Sequence, residues 1–311
     1  MTRLTVIIPA HNPHGGRLAR TLAGLHAQDL PVAEWELILI DNASDPAIDA
    51  ETLGLAWHPA ARLIREPALG LTSARIRGFH EATGELCVLV DDDNVLRSDY
   101  LSRAVQLAVQ HPNVGVFGGK SLPEFESPPS DWLQEIHSLL ALRDDGDEGV
   151  IVSWDGTYPR RAPIGAGMVL RRDAALRWAA EIATDPRRRA LDRAGSQLVS
   201  GGDNDLVITV MKGGAKAAYF PELVLTHIIP ATRCEIGYLA RLNRAIAKSW
   251  MQLLTMHGIN PWSSIPAWSL PLRKAKAWFT HRAWSGPAAR IRWAGACGHF
   301  EGRIAKKKIS T

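Results

Sequence analysis

The segment Gly84-Glu85-Leu86-Cys87-Val88-Leu89-Val90-Asp91-Asp92-Asp93-Asn94 limits what this chain can fold into more than any other. Its first half is apolar and β-favouring, without helical period and too short to span a membrane, so it reads as a strand buried on both faces of a parallel sheet. Three consecutive carboxylates then follow. A packed core cannot hold three unpaired negative charges, so Asp91, Asp92 and Asp93 must emerge at the strand's carboxyl end. In an open α/β sheet that edge is where ligands bind. Clustered hard oxygens suit Mg²⁺ or Mn²⁺, most readily an ion shared with phosphates. The plainer reading is an acidic turn ahead of a helix over 99–110 capped by Ser98.

The rest of the chain bears on that choice. Leu4-Thr5-Val6-Ile7-Ile8-Pro9 reads as a first buried strand, after which Ala10-His11-Asn12 emerges and Gly15-Gly16 opens a helix with Leu18, Leu22 and Leu25 on one face. Glu36 to Ile40 is a second strand ending in Asp41-Asn42-Ala43-Ser44, and Arg62-Leu63-Ile64 a short third. Gly70-Leu71-Thr72-Ser73 leads into a helix carrying Arg75 and Arg77, then the acidic strand, a helix over 99–110 and a strand at Val114–Phe117. Strands and helices alternating, with polar residues gathered at strand ends, predict a doubly wound, mostly parallel sheet flanked by helices. Neither G-x-G-x-x-G nor G-x-x-x-x-G-K-[ST] occurs, which excludes the dinucleotide and P-loop fingerprints.

Past Ser121 the alternation loosens. Pro123 to Pro129 reads as a loop, 130–143 as a helix, and Ile164 to Leu170 as a flexible apolar stretch. Arg187-Arg188-Arg189 reads as a solvated loop face. Ser200-Gly201-Gly202-Asp203-Asn204-Asp205-Leu206 is a glycine turn that starts a helix, where N-capping by Asp203 is the plain interpretation. Strand segments at 218–220 and 224–227 follow.

Charge divides the chain. Residues 236–311 carry 13 Lys and Arg against one acid, Glu301, leaving 23 basic and 31 acidic residues in 1–235. Six of the eleven Trp also lie in that tail, so two differently purposed regions are implied. Cys87, Cys234 and Cys297 are scattered and odd in number, which suits a reducing compartment. The chain runs from Met1 straight into a strand, leaving no room for a secretory signal, and no run of about 18 apolar residues could span a bilayer. The expectation is a cytoplasmic protein, peripheral at the inner membrane face.

In order, Val-Ile-Ile-Pro-Ala-His-Asn (6–12), Asp-Asn-Ala-Ser (41–44), Gly-Leu-Thr-Ser-Ala-Arg (70–75), Gly-Glu…Asp-Asp-Asp (84–93), Gly-Gly-Asp-Asn-Asp-Leu (201–206) and His227 resemble family 2 glycosyltransferases, inverting enzymes of the GT-A fold. The resemblance covers about residues 3–235. It implies a GT-A catalytic domain over 1–235, with a nucleotide-binding half (1–122) and an acceptor-side half (123–235), followed by a helical extension (236–311). Pro9, Ala10, His11 and Asn12 would line the nucleotide, Asp41 would bond the base or ribose, and Arg75 would lie near base and diphosphate. Asp93 matches a direct metal ligand, with Asp91 or Asp92 nearer the ribose and Asp91 within the same metal-binding motif. His227 resembles a further ligand. Asp203 matches the general base; where relatives read Glu-Asp, this chain has Gly202-Asp203. The implied reaction moves a sugar from a UDP- or dTDP-sugar to a glycan or lipid-linked hydroxyl, with Mn²⁺ or Mg²⁺ offsetting the leaving diphosphate. Two rivals stand: a nucleotidyltransferase, and an inactive sugar-nucleotide-binding or scaffold protein.

Residues 236–256 predict one helix, with Leu239, Leu242, Ile246, Trp250 and Leu253 at helical spacing. Beyond Asn260, Trp residues interleave with Lys and Arg on short segments. That pattern suits an anionic membrane interface or a helical subdomain packed on the body, and nucleic acid is not expected, since no base-reading module accompanies it.

Overall fold

A computed structural model describes residues 2–195 and 197–305. In chain order the elements are β1 (Leu4–Ala10), α1 (Gly15–His26), β2 (Trp35–Asn42), β3 (Ala61–Glu66), α2 (Leu71–Glu81), β4 (Leu86–Leu89), β5 (Asn94–Leu96), α3 (Tyr100–Gln110) and β6 (Val114–Phe125). Next come β7 (Val150–Val152), β8 (Val169–Arg171), α4 (Arg172–Ala183), α5 (Pro186–Arg189), α6 (Gly202–Lys212), β9 (Lys216–Ile229), α7 (Ile236–Met256), α8 (Leu270–Thr280) and α9 (Pro287–Gly302).

One nine-stranded sheet organises the body, in the order β3-β2-β1-β4-β8-β6-β9-β5, with β7 also on β9. The half from β3 to β4 is parallel throughout, as is the long β6–β9 pair. β8 enters antiparallel between β4 and β6. Alternation along β1 explains why the sheet needs cover on both sides. Leu4, Val6 and Ile8 face a core shared with α1 and α3. Ile7 faces the other way, toward Ala74 and Phe79 of α2, Trp178 of α4 and Val207 of α6. This is the doubly wound GT-A architecture, and its acidic strand end sits at the sheet's carboxyl edge.

Several local expectations change. The strands expected at 218–220 and 224–227 are one strand, β9. β6 extends through Pro123 to Phe125 because it pairs with β9 along its full length. The expected helix over 130–143 is a 3₁₀ segment, Asp131–Leu140, interrupted at Ile136. Its Leu133, Ile136 and Leu140 pack with Leu239 and Leu242 of α7 and Ala288 and Ile291 of α9. Ser98 does not cap α3; Asp99 takes that position, its carboxylate held by Arg97 and Arg103. Arg187–Arg189 form the short helix α5, and Arg188 reaches inward to Asp205. The tail folds as α7, α8 and α9, with residues 306–311 outside the described range. α9 lies close along α7: a Cβ on Gly295, Gly298 or Gly302 would overlap Asn243, Arg244 or Lys248.

Candidate active site

A cavity of about 430 Å³ opens at the carboxyl edge of the sheet. Strand ends supply Pro9, His11, Asn42 and Asp91–Asp93, and α2 brings Arg75. From later in the chain come Gly165, Asp192, Asp203, His227 and Arg233, and α7 adds Tyr238, Leu242 and Ile246.

The first two strand ends brace one another. His11 Nδ1 lies 2.8 Å from the Asn42 carbonyl. Asn42 Nδ2 donates to the Ala68 carbonyl, and its Oδ1 accepts from the Gly70 amide. Gly70 has φ +136°, open to glycine and rarely to other residues, and so turns the chain directly into α2. Asp41 and Asn12 are not in the cavity wall. Asp41, 2% exposed, accepts from the amides of Ser44 and Ile48 and pairs with Arg65 at 2.5 Å. Burial acts to raise its pKa, but these donors outweigh it and hold the carboxyl below the usual range. Asn12 is exposed, its amide donating to Ser44 Oγ. Ala10 is 2% exposed and inside the core beneath β1's end.

The three acids after β4 differ. Burial, reinforced by the Asp93 charge, raises Asp91, and the same causes with Asp91 added push Asp92 up to about 7. Neither has an ion-pair partner among the described residues. Asp93 is lowered: burial opposes ionisation, but His227 and Arg233 more than compensate. His227 Nε2 is 3.4 Å from Asp93 Oδ1, and Arg233 Nη1 is 3.1 Å from Asp93 Oδ2 and 3.3 Å from His227 Nε2. The register causes this, because Asn94 on β5 pairs directly with His227 on β9.

Asp203 occupies the second position of α6. It caps nothing in its own helix; Oδ2 accepts from the Gly165 amide at 3.1 Å, and Oδ1 lies 2.5 Å from Arg75 Nη2. Arg75 is 2% exposed, and its Nη1 donates to Asp192 Oδ2 at 3.0 Å. Burial would lower the Arg75 pKa, yet Asp203, Asp192 and Asp91 together raise it. A permanent cation thus bridges two acids that both lie more than a hundred residues from it in sequence. Asp192 went unnoticed in sequence, since an Asp in an irregular arginine-rich stretch carries no pattern. Its carboxylate lies where a side chain at Gly202 would begin: a Cβ there would overlap it. Asp205, two residues on, is fully buried and saturated by Trp178 Nε1, Arg188 and His257, each at 2.8 Å. It anchors α6 and has no free lone pair to act as a base.

Comparison with known proteins decides the family. The sequence model of glycosyl transferase family 2 matches residues 5–163, half of the chain and every strand end up to the acid triplet. The chain belongs to glycosyl transferase family 2. Among curated relatives, the succinoglycan biosynthesis protein ExoM of Rhizobium meliloti (strain 1021) is 24% identical over 84% of this chain and 78% of its own. ExoW, a succinoglycan biosynthesis protein of the same strain, is 34% identical over 34% of each chain. An N-acetylglucosaminyltransferase of that strain is 24% identical over 73% of this chain, which spans about half that relative's length (51%). Among the described residues of this family 2 glycosyltransferase, no helix is long and apolar enough to cross a membrane.

Proposed function

We propose that this enzyme transfers a sugar, with inversion, from a nucleoside diphosphate sugar (UDP- or dTDP-linked) to a hydroxyl of a growing polysaccharide or lipid-linked glycan presented at the membrane face. The relatives named for succinoglycan biosynthesis support the acceptor class. The observation that carries the reading is one cavity holding both the acid triplet from β4 and Asp203 from α6. The acceptor oxygen attacks the anomeric carbon as its proton passes to Asp203. The carbon–oxygen bond to the diphosphate breaks, and the nucleoside diphosphate departs with the bonding pair. Arg75 and the Gly165 amide fix the base at the cavity wall.

The donor types suit a divalent ion. Arg233 already places a cation between Asp93 and His227, and Asp91 and Asp92 are half-buried and form no ion pair among the described residues. No three His, Cys, Asp or Glu side chains among the described residues form a ready-made metal site, so diphosphate oxygens would have to complete the coordination of any ion. Asp93, with Asp91 or His227 beside it, would hold Mn²⁺ or Mg²⁺, which would offset the leaving group's charge. A nucleotidyltransferase reading has less support, since Arg17, the one cation of the 12–17 loop, pairs with Glu126 at 2.7 Å.

The test is nucleotide release from UDP- and dTDP-sugars with Mn²⁺ and an acceptor glycan. Asp93→Ala is expected to abolish release and Mn²⁺-dependent nucleotide binding with the fold intact. Asp203→Asn is expected to lower transfer by about 10²-fold with nucleotide binding kept. Wild-type protein that neither binds nor cleaves any nucleotide sugar would overturn the reading.

A further inference from the structure

α8 carries its apolar face outward. Trp268, just before it, and Leu272 and Phe279 within it are 76%, 69% and 68% exposed, whereas Ala277 is buried. At about 100° per residue, positions 268, 272, 275 and 279 form one stripe along the helix, and 277 lies on its back. Trp284, 59% exposed, packs against Phe279 with ring centroids 5.8 Å apart and widens the stripe.

Cationic side chains border it. Between α8 and α9 is a second cavity of about 240 Å³, lined by Arg273, Lys276, Thr280 and His281 on one side and Ala296 and Phe300 on the other. Lys276 lies between the stripe and this cavity. Glu301 is the sole acid beyond Glu235, and Arg244 and Lys274 already share its carboxylate. Arg273, Lys276, Arg282 and Arg290 therefore have no carboxylate partner among the described residues.

We propose that this face docks flat on an anionic phospholipid bilayer. Trp268, Leu272, Phe279 and Trp284 enter the headgroup–acyl boundary, and the Arg273–Lys276 cavity receives a lipid phosphate. An exposed apolar stripe edged on one side by uncompensated cations is the pattern of a helix lying in a membrane interface, with Trp at the polar boundary and Lys and Arg stems reaching up to the phosphates. The surface adds a membrane contact to the lipid-linked acceptor reading and rests on it only for its biological purpose. Binding is therefore measured without donor or acceptor, so that either proposal can fail alone.

The experiment is co-sedimentation of the full chain with vesicles of phosphatidylcholine alone and of phosphatidylcholine mixed equally with phosphatidylglycerol. Binding is expected to the mixed vesicles only, with part of it surviving high salt. Arg273→Gln with Lys276→Gln should weaken partitioning by about 25-fold, at about fivefold per charge. Trp268→Ser with Leu272→Ser and Phe279→Ser should leave low-salt binding but abolish the salt-resistant fraction. Both variants should retain wild-type melting temperature and nucleotide binding, since none of these side chains lines the catalytic cavity. The proposal fails if the wild type sediments with neither vesicle, or with both equally. It also fails if the variants bind like wild type, or if the wild type is a dimer that the triple serine variant dissociates, which would make a second copy the occupant.

Discussion

Neither Gly165 nor Gly202 has a positive φ, so neither is glycine for the sake of backbone freedom. Each makes room for a carboxylate: Gly165 for Asp203, Gly202 for Asp192. Gly165→Ala is expected to push the Asp203 side chain off its amide and Arg75, lowering kcat by on the order of 10²-fold, the scale of a 1 Å misplacement. The nucleotide Kd should stay at its wild-type value; stopped-flow binding beside steady-state rates separates the two. Gly202→Ala is expected to displace Asp192 and strand the buried Arg75 with one acid in place of two. Overpacking of this kind costs about 1–3 kcal/mol, to be read as a lower melting temperature together with lower turnover. Wild-type stability in the Gly202 variant would show that Asp192 has another place to go.

Among the elements, α6 depends on Asp205, whose oxygens join α4 through Trp178, α5 through Arg188 and the end of α7 through His257. Asp205→Asn removes the charge while three cationic or polar donor side chains stay in place around it, and a loss of about 3–5 kcal/mol is expected in urea denaturation. The sign with pH follows. Burial favours the neutral acid, but His257, Arg188 and Trp178 hold the Asp205 pKa below its ordinary value. Its contribution is therefore complete above the unfolded carboxyl range, about 3.9, and is lost as pH falls through the lower folded value. The stability difference between wild type and Asp205→Asn should shrink below about pH 4. Elements like β1 and β4 were legible in sequence because burial on both faces leaves an unbroken apolar run that no other element produces. The role of Arg188 was not, since a basic triplet looks the same whether it meets water or a buried acid. Asp93, Asp203 and His227 could be named from motif order. Their pairing with Arg233 and Arg75 could not, because it arises from strand register and from side chains more than a hundred residues apart.

For the whole molecule, the two regions of opposite charge are joined by apolar contact. α7 walls the cavity with Tyr238, Leu242 and Ile246 while Ala288 and Ile291 of α9 cover its back. A chain ending at Gly258 is accordingly expected to expose that back and to aggregate or melt well below the full chain in a thermal-shift measurement. A soluble, nucleotide-binding product would show that α8 and α9 serve surface contact alone. The Trp-rich tail was legible as a distinct region, but not which rings face inward: Trp293 donates to the Lys274 carbonyl and stacks edge-on with Trp278, whereas Trp268 and Trp284 are exposed. Finally, β9 joins β6, β7 and β5 in the sheet that also holds β4, so the strands on either side of the acid triplet and the strand bearing His227 belong to one continuous sheet. Among the described strands there is no break along which two halves of that sheet could swing. Admission of donor and escape of nucleotide then fall to surface segments such as 197–200 and the start of α7, which makes turnover sensitive to the viscosity and packing of that rim and insensitive to anything that stiffens the sheet.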